Sequence, residues 1–376
     1  MKACSLVPIL FLSFVAALFG AQRQEITINT ASPEGRLLQQ ISDESDDAKK
    51  VVLMDQFLAQ YPNHEGAVWV YSQILTSCTK LGQYDKALAA AGNVLAKNPG
   101  DMDTAYAALK AAEAKKDAET VRQWAVRSSD LAHKVAQEPK GGEEDADAFQ
   151  RRVESARRVD GYSEYVLFAS AVQNPDAGKK VELLKTLEAR APESTYLAQA
   201  SGIYFQALAQ SGDLTGAVAL AEKLIAKGQA NEEMLETAAE VTLRQNREPQ
   251  KVLDYSAKLL ALVNTRAKPD TVSDDDWQKW KAHFVGLGQW MTGVVYCVQG
   301  RFADSNKVLK EALPLLEGKD EYKAAALYNL GVDNSHLRNV ADAGRYYEQC
   351  AAIASPYRAM CTDSLKAIRS TYRIVK

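Results

Sequence analysis

The sequence predicts an all-α fold, a solenoid of about eight antiparallel helix pairs that ends in a capping helix. Hydrophobic residues make up 47% of the 376 residues and charged residues 25%, and only 11 residues are Pro, which favours helical globular structure. A chain of this length usually exceeds one compact core, so several domains or a repeat array are expected. Paired apolar segments also recur at a spacing of about 34 residues, as in helical repeat arrays.

The first 21 residues are expected to be a secretory signal. Met1 and Lys2 give a short cationic start, an apolar run fills residues 6–19, and the small residues Gly20 and Ala21 follow. The run is shorter than the roughly 20 apolar residues that span a bilayer. We therefore predict cleavage near residue 20 or 21 and an exported, periplasmic or extracellular protein with no transmembrane segment after signal removal. The alternative is an uncleaved anchor.

The clearest repeat unit occupies residues 68–101. An apolar helix ends before Gly82, whose permissive backbone suits a tight turn between helices. The second helix carries the small Ala87, which allows the two helices to approach closely. Pro99 ends that helix, because proline does not continue a helix from the preceding residue. Two antiparallel helices are therefore predicted for this unit.

This unit resembles the tetratricopeptide repeat, and Tyr71 stands where that family usually has Trp. A second good copy spans residues 324–356, and its letters at 327–331, LYNLG, match the family's first-helix signature. The resemblance implies a right-handed α-solenoid of such pairs. The first unit matches the family at Leu75, Gly82, Tyr84, Ala87, Ala91, Val94 and Pro99. Weaker copies lie at 31–66, 102–137, 161–194, 198–231, 232–263 and 286–319.

Interruptions of the repeat period set the expected boundaries. Residues 139–149 are acidic and Gly-bearing, which indicates an exposed loop that leads into a lengthened helix. Residues 264–276 form a second loop, and Ser273 with the three Asp residues after it is typical of a helix start. The predicted segments are the signal at 1–21, N-terminal repeats at 22–140, central repeats at 141–264, an insertion and long-helix start at 265–285, C-terminal repeats at 286–356 and a capping helix at 357–376.

Four cysteines follow the signal, and one pair is suggestive of a disulfide. Cys350 and Cys361 lie nearly symmetrically about the helix-breaking Pro356, so antiparallel helices on either side would bring them to a similar level. Export would permit the bond. The alternative is that each is a small buried hydrophobic residue, as we expect for Cys78 and Cys297. No CxxC motif or His cluster indicates a metal site.

The resemblance also indicates where a partner would bind. In this family the first helix of each pair lines a concave groove, and the fifth residue of each unit points into it. Four candidate groove residues hold this position, and two more lie beside it: Tyr106, Tyr165, Trp290 and Tyr328, with Trp69 and Asn329 as neighbours. Aromatic rings with polar tips are favoured at interfaces, so we predict that this groove binds an extended or helical peptide segment. The alternative is that these rings pack against adjacent helices.

The insertion offers a second candidate surface. Trp277 and Trp280 share a face at helical spacing and are two of the chain's five Trp residues. They are interpreted either as a partner-docking or sugar-stacking patch or as residues that fasten the insertion to the solenoid.

Composition and motifs narrow the function class. The net charge of −3, with no basic block, argues against a nucleic-acid or anionic-membrane surface. No GxSxG, GxxxxGK, HExxH or dinucleotide-binding motif is present. We predict a non-enzymatic protein–protein interaction scaffold of the cell envelope, with an unidentified protein or peptide partner and neither cofactor nor metal. The alternative is a structural solenoid, or one that binds a glycan or small molecule.

Overall fold

The computed structural model describes residues 9–11, 27–142, 144–246 and 248–372. The expected signal segment at 1–21 lies outside the described residues, except for Ile9–Phe11. The chain divides into two compact units, unit 1 at residues 1–211 and unit 2 at residues 212–376. The boundary between the units falls inside the segment predicted as central repeats.

Unit 1 begins with a short antiparallel strand pair, β1 and β2, in which Leu10 lies opposite Ile28. Nine helices follow among the residues described for this unit. The elements are β1 (Ile9–Phe11), β2 (Thr27–Asn29), α1 (Pro33–Asp43), α2 (Asp47–Gln60), α3 (Ala67–Lys80), α4 (Tyr84–Lys97), α5 (Met102–Lys115), α6 (Ala118–Gln137), α7 (Ala146–Gln173), α8 (Ala177–Arg190) and α9 (Thr195–Gln210).

Unit 2 is helical throughout the part that the structure describes. Its elements are α10 (Leu214–Ala226), α11 (Glu232–Gln245), α12 (Pro249–Thr265), α13 (Asp274–Val298), α14 (Phe302–Ala312), a 3-10 turn (Leu313–Leu316), α15 (Asp320–His336), α16 (Val340–Ala352) and α17 (Arg358–Tyr372). The predicted all-α solenoid of helix pairs is confirmed, because within each unit consecutive helices pack side by side. First helices of successive pairs also touch, α5 with α7 and α7 with α9 in unit 1, and α11 with α13 and α13 with α15 in unit 2.

Polar caps and left-handed turns define where the helices begin and end. Side chains of Asp101, Asp117 and Asp145 accept hydrogen bonds from backbone N–H groups in the first turns of α5, α6 and α7. Ser273 does the same for α13, as the sequence predicts. The turn between α3 and α4 uses Gly82 at φ 72°, a backbone conformation that glycine adopts at little cost.

The core of each unit is built from small and branched apolar side chains. In unit 1 one cluster includes Phe57, Met54 and Ile41, all fully buried. In unit 2 the last three helices share a cluster that contains Tyr347, and α17 contributes Ile368 to it. Helix α17 thus covers the apolar side of the α15 and α16 pair, as expected of a capping helix.

Candidate functional site

A row of tyrosine rings crosses the first helices of three successive pairs in unit 1. Tyr106 on α5 meets Tyr162 on α7 edge to face, with 5.2 Å between ring centroids. Tyr162 is followed by Tyr165, one helical turn further along α7, at 6.0 Å. Tyr165 in turn lies 6.0 Å from Tyr196 on α9, and Phe168 stacks on Tyr196 at 5.2 Å. We call Tyr106, Tyr162, Tyr165 and Tyr196 the tyrosine row.

Polar contacts fix one end of the tyrosine row. The Tyr162 hydroxyl donates a hydrogen bond of 2.5 Å to Glu113 Oε2 on α5. Burial raises the pKa of Tyr162 well above its usual range, and the Glu113 carboxylate raises it further. Lys110 Nζ lies 4.2 Å from the centroid of the Tyr106 ring, in cation–π geometry. These contacts hold the rings in place before any ligand arrives.

The rest of the row is open to a ligand. Tyr165 is 41% exposed, and Tyr106 and Tyr196 are half-buried. The hydroxyls of these three rings make no hydrogen bond to any other described residue, so they remain available to a partner. Two of the six predicted groove residues, Tyr106 and Tyr165, therefore belong to one continuous surface.

The other predicted groove residues lie elsewhere. Trp69 is half-buried against the N-terminal core of unit 1. Asn329 uses its side-chain amide to donate to the Ala325 carbonyl of its own helix, at 2.8 Å. Tyr328 packs between Tyr347 and Tyr357, with ring centroids 6.1 and 5.8 Å away, and so belongs to the cap contact.

The expectation that Trp290 lines an open groove is wrong. Its side chain is only 6% exposed, and the ring packs edge to face on Tyr322 at 4.9 Å. The Tyr322 hydroxyl donates to both carboxylate oxygens of Glu240, at 3.0 and 3.2 Å, which holds this contact between α11, α13 and α15. Trp290 therefore packs inside unit 2, in line with the alternative that the groove rings pack against adjacent helices.

The insertion residues Trp277 and Trp280 are stacked on each other. Their ring centroids are 4.6 Å apart and their planes differ by 7°. Trp277 is 8% exposed, whereas Trp280 is half-buried. Both rings border a pocket in unit 2, so the patch both fastens the insertion and forms part of a cavity wall.

A disulfide joins Cys350 at the end of α16 to Cys361 in α17, with 5.9 Å between their Cα atoms. Both residues are fully buried in the cluster that α17 covers. Cys78 and Cys297 are buried free thiols. Burial raises the pKa of the Cys297 thiol to about 12, helped by the nearby Asp333 carboxyl. A thiol with such a pKa stays protonated at neutral pH and is a poor nucleophile.

Within residues 9–11, 27–142, 144–246 and 248–372, no three His, Cys, Asp or Glu side chains converge as they would around a metal ion. None of the helices described combines the length and the apolar content needed to cross a bilayer.

Sequence reasoning missed part of the tyrosine row. Tyr196 is not among the predicted groove residues because the repeat predicted from the sequence begins at residue 198, whereas α9 begins at Thr195. Tyr162 lies on the same helix as the predicted groove residue Tyr165. Its spacing of three residues from Tyr165 on one helix face is the signal that places both rings together.

No protein-family model and no curated protein matches the chain. Among solved structures, the chain is similar to Cut9-Hcn1 of an APC/C hetero-tetramer, at 15% identity and a TM-score of 0.36, covering 90% of this chain and 56% of that one. It is also similar to yeast Tom70, at 13% identity and a TM-score of 0.36, and the match covers 83% of this chain and 66% of that one. A third similar structure is the P58(IPK) TPR domain, at 9% identity and a TM-score of 0.28, and the match covers 91% of this chain and 99% of that one.

The chain spans 56% and 66% of the lengths of the first two of these structures. Identities and TM-scores this low transfer no function to the chain. The repeat residues of the chain and its helix pairs are similar to those of tetratricopeptide-repeat proteins.

Proposed function

We propose that this protein is a non-enzymatic interaction scaffold and that the tyrosine row of unit 1 binds an extended peptide segment of a protein partner. The observation that carries the proposal is the continuity of the row over α5, α7 and α9 together with the exposure of Tyr165. Tyrosine provides a large contact area, loses little conformational entropy on binding and carries a polar tip, which is why it is favoured at protein interfaces.

The spacing of the rings fits an extended chain. Neighbouring rings of the row are 5.2 to 6.0 Å apart. Alternate side chains of an extended peptide point the same way and recur roughly every 6.6 Å. Peptide side chains can therefore pack between successive rings, while the phenol hydroxyls of Tyr106, Tyr165 and Tyr196 exchange hydrogen bonds with the peptide backbone. Because the hydrogen bond to Glu113 already fixes Tyr162, this side chain loses little conformational entropy when a peptide binds.

Catalysis has no support among the described side chains. The Asp333 carboxyl and the Cys297 thiol, whose pKa values are raised by burial, are 0% and 8% exposed and so do not face an open cleft. The tyrosine row offers phenol groups, and beside them lie the Lys110 ammonium group and the Glu113 carboxylate, which already accepts a hydrogen bond from Tyr162. Such a set recognises ligands but offers no activated nucleophile.

We further propose that the protein is exported and acts in the periplasm or outside the cell. The cationic start and apolar run of residues 1–21 support export, and the disulfide between Cys350 and Cys361 suits an oxidising compartment. Intact-mass measurement of protein from the envelope or medium should show loss of about the first 20 residues, as expected for a cleaved signal. Full-length protein confined to the cytosol would contradict this proposal.

The peptide-binding proposal is tested with a displayed library of random peptides. Peptides are selected on the full chain, and their affinities for the full chain, for Tyr165→Ala and for the Tyr106→Ala, Tyr165→Ala double variant are then measured by calorimetry. We expect selected peptides to lose at least about tenfold in affinity for Tyr165→Ala, since an interface aromatic residue commonly contributes more than 1.4 kcal/mol.

The matched control is Val52→Ala, which truncates a side chain that is 65% exposed in the same unit, on the second helix of a pair. This variant should bind the selected peptides as the unchanged chain does. Selection of peptides that bind the double variant equally well, or no enrichment over an unrelated helical protein, would exclude the tyrosine row as the binding surface.

A further inference from the structure

A second candidate site lies in unit 2, where the insertion meets the start of α11. A pocket of about 410 Å³ opens there, within the size range of small-ligand sites. Its wall combines the start of α11, the loop after α12 and the first turns of α13. The lining residues are Asn231, Glu232, Glu233, Arg266, Pro269, Val272, Asp276, Trp277, Trp280 and Phe284.

One wall of this pocket is an aromatic platform. Trp277 and Trp280 stack in parallel, and Phe284 meets Trp280 edge to face at 5.2 Å. Trp280 is half-buried, while Trp277 and Phe284 are 8% and 4% exposed and support it from inside. A flat, rigidly supported indole is a surface on which an apolar face of a ligand can stack.

A fixed guanidinium group borders the platform. Arg266 lies with its guanidinium carbon 5.6 Å from the Trp280 ring centroid, and its Nη1 donates to both oxygens of Glu232. Glu232 is 3% exposed, so this buried carboxylate anchors the arginine. Arg266 Nε and Nη2 donate to no described residue, and the Arg266 side chain is 47% exposed. They are therefore directed donors for a ligand oxygen.

The charges around the pocket select the class of ligand. Cations are disfavoured because the indole rings already face the chain's own cations, Arg266 at Trp280 and Lys281 Nζ at 5.6 Å from the Trp277 centroid. Anions are disfavoured because the lining carries three carboxylates, those of Glu232, Glu233 and Asp276, against one guanidinium group, that of Arg266. What remains is a neutral ligand that has both an apolar face and hydrogen-bonding oxygens.

We propose that this pocket binds a neutral saccharide. Sugar C–H groups would contact the part of Trp280 that Trp277 and Arg266 leave exposed, hydroxyl oxygens would accept hydrogen bonds from Arg266, and sugar hydroxyls would donate to the lining carboxylates. The proposal does not rest on the tyrosine row, which lies in the other unit and is built for a peptide.

The test uses an array of neutral and acidic glycans probed with the full chain, followed by calorimetry with the best oligosaccharide and with tetramethylammonium as a cationic probe. The blocking variant is Val272→Arg, which places a long side chain from the loop into the pocket without altering a helix. We expect binding of neutral glycans by the unchanged chain and at least a tenfold loss in Val272→Arg and in Trp280→Ala.

Val298→Arg is the matched control, because the same substitution is made in the same unit at a side chain that is 65% exposed and lies outside this pocket. It should bind like the unchanged chain, and circular dichroism should show that all variants remain helical. The proposal is overturned if no neutral glycan binds better to the unchanged chain than to Val272→Arg, or if acidic glycans or tetramethylammonium bind in preference to neutral glycans.

Discussion

At the scale of single residues, the most unusual group is Asp333, a carboxyl buried within unit 2. It is fully buried on α15, and Ser305 Oγ donates to its Oδ2 at 2.7 Å, whereas Oδ1 has no partner in the structure. Burial raises the pKa of Asp333 to about 6, although hydrogen bonds from Ser305 and Cys297 lower it in part. The unfolded chain would release this proton near the ordinary value of 3.8.

This difference predicts a pH-dependent stability. The folded state holds the Asp333 proton more tightly than the unfolded state. The stabilisation that this proton gives the folded chain is therefore complete below about pH 4 and is lost as the pH rises through about 6. Asp333→Asn removes the buried charge and keeps an acceptor for Ser305. We expect the variant to be more stable than the unchanged chain by about 3 kcal/mol at pH 8 and by about half as much at pH 5, where the unfolded chain has already released this proton and the folded chain mostly keeps it. Urea unfolding followed by circular dichroism at both pH values measures this.

The control for this prediction is Asp363→Asn, which removes a carboxylate that is 77% exposed in the same unit. Its unfolding free energy should change by less than about 0.5 kcal/mol at either pH, because exposed ion pairs contribute little. An Asp333→Asn variant with the same stability difference at pH 5 and pH 8 would show that the carboxyl does not titrate in this range.

At the scale of helix elements, Gly331 sets the close approach of α15 and α16. A Cβ at this position would lie 2.4 Å from Cε1 of Tyr347, which is itself 4% exposed and unable to move aside. Gly331→Ala should therefore destabilise the chain by about 1–3 kcal/mol, as overpacking does. Gly344→Ala on α16 meets nothing within 4 Å and should stabilise by about 0.5–1 kcal/mol. The midpoint temperature of thermal unfolding should fall in Gly331→Ala and rise in Gly344→Ala. A change in the same direction in both variants would contradict the packing role of Gly331.

The turns between helices could be predicted from the sequence only in part. Gly82 indicated an inter-helix turn because glycine adopts positive φ at little cost, and it is left-handed in the structure, as is Gly300. Lys116 and Arg338 occupy equivalent turns at φ 60° and 61°, and nothing in their residue types indicated this. Repeat periodicity still placed those helices, because the apolar pattern of each pair persists where the turn residue changes.

The candidate sites could be predicted less well than the helices. A position in the repeat assigns a residue to the first helix, but tertiary neighbours decide whether its side chain is exposed. Tyr165 is 41% exposed, whereas the equivalent Trp290 is covered by Tyr322, a residue distant in the sequence. The anchoring of Arg266 by Glu232 likewise joins residues of different helices, so no local pattern indicated it.

At the scale of the whole molecule, stability at the end of unit 2 depends on the link between α16 and α17. The disulfide closes a short loop, with Cys350 and Cys361 separated by 11 residues in sequence. Constraining a loop of this size in the unfolded chain contributes roughly 2–3 kcal/mol. The Cys350→Ala, Cys361→Ala double variant should lower the unfolding free energy by about that amount, measured by denaturant unfolding. Added reductant should shift the unchanged chain but not the double variant, and an equal shift of both would contradict this account.

Removal of α17 should have a different consequence from loss of the disulfide. Truncation after Ser355 deletes the buried Ile368 and Cys361 and uncovers Tyr347 and Cys350 beneath them. Exposed apolar surface of this kind promotes association, because the last pair of a helical repeat array presents an apolar side unless a helix covers it. We expect the truncated chain to elute as oligomers in size-exclusion chromatography with light scattering, while the double cysteine variant keeps the elution volume of the unchanged chain. A truncated chain with an unchanged elution volume and unfolding midpoint would show that α17 is dispensable and that α15 and α16 close unit 2 by themselves.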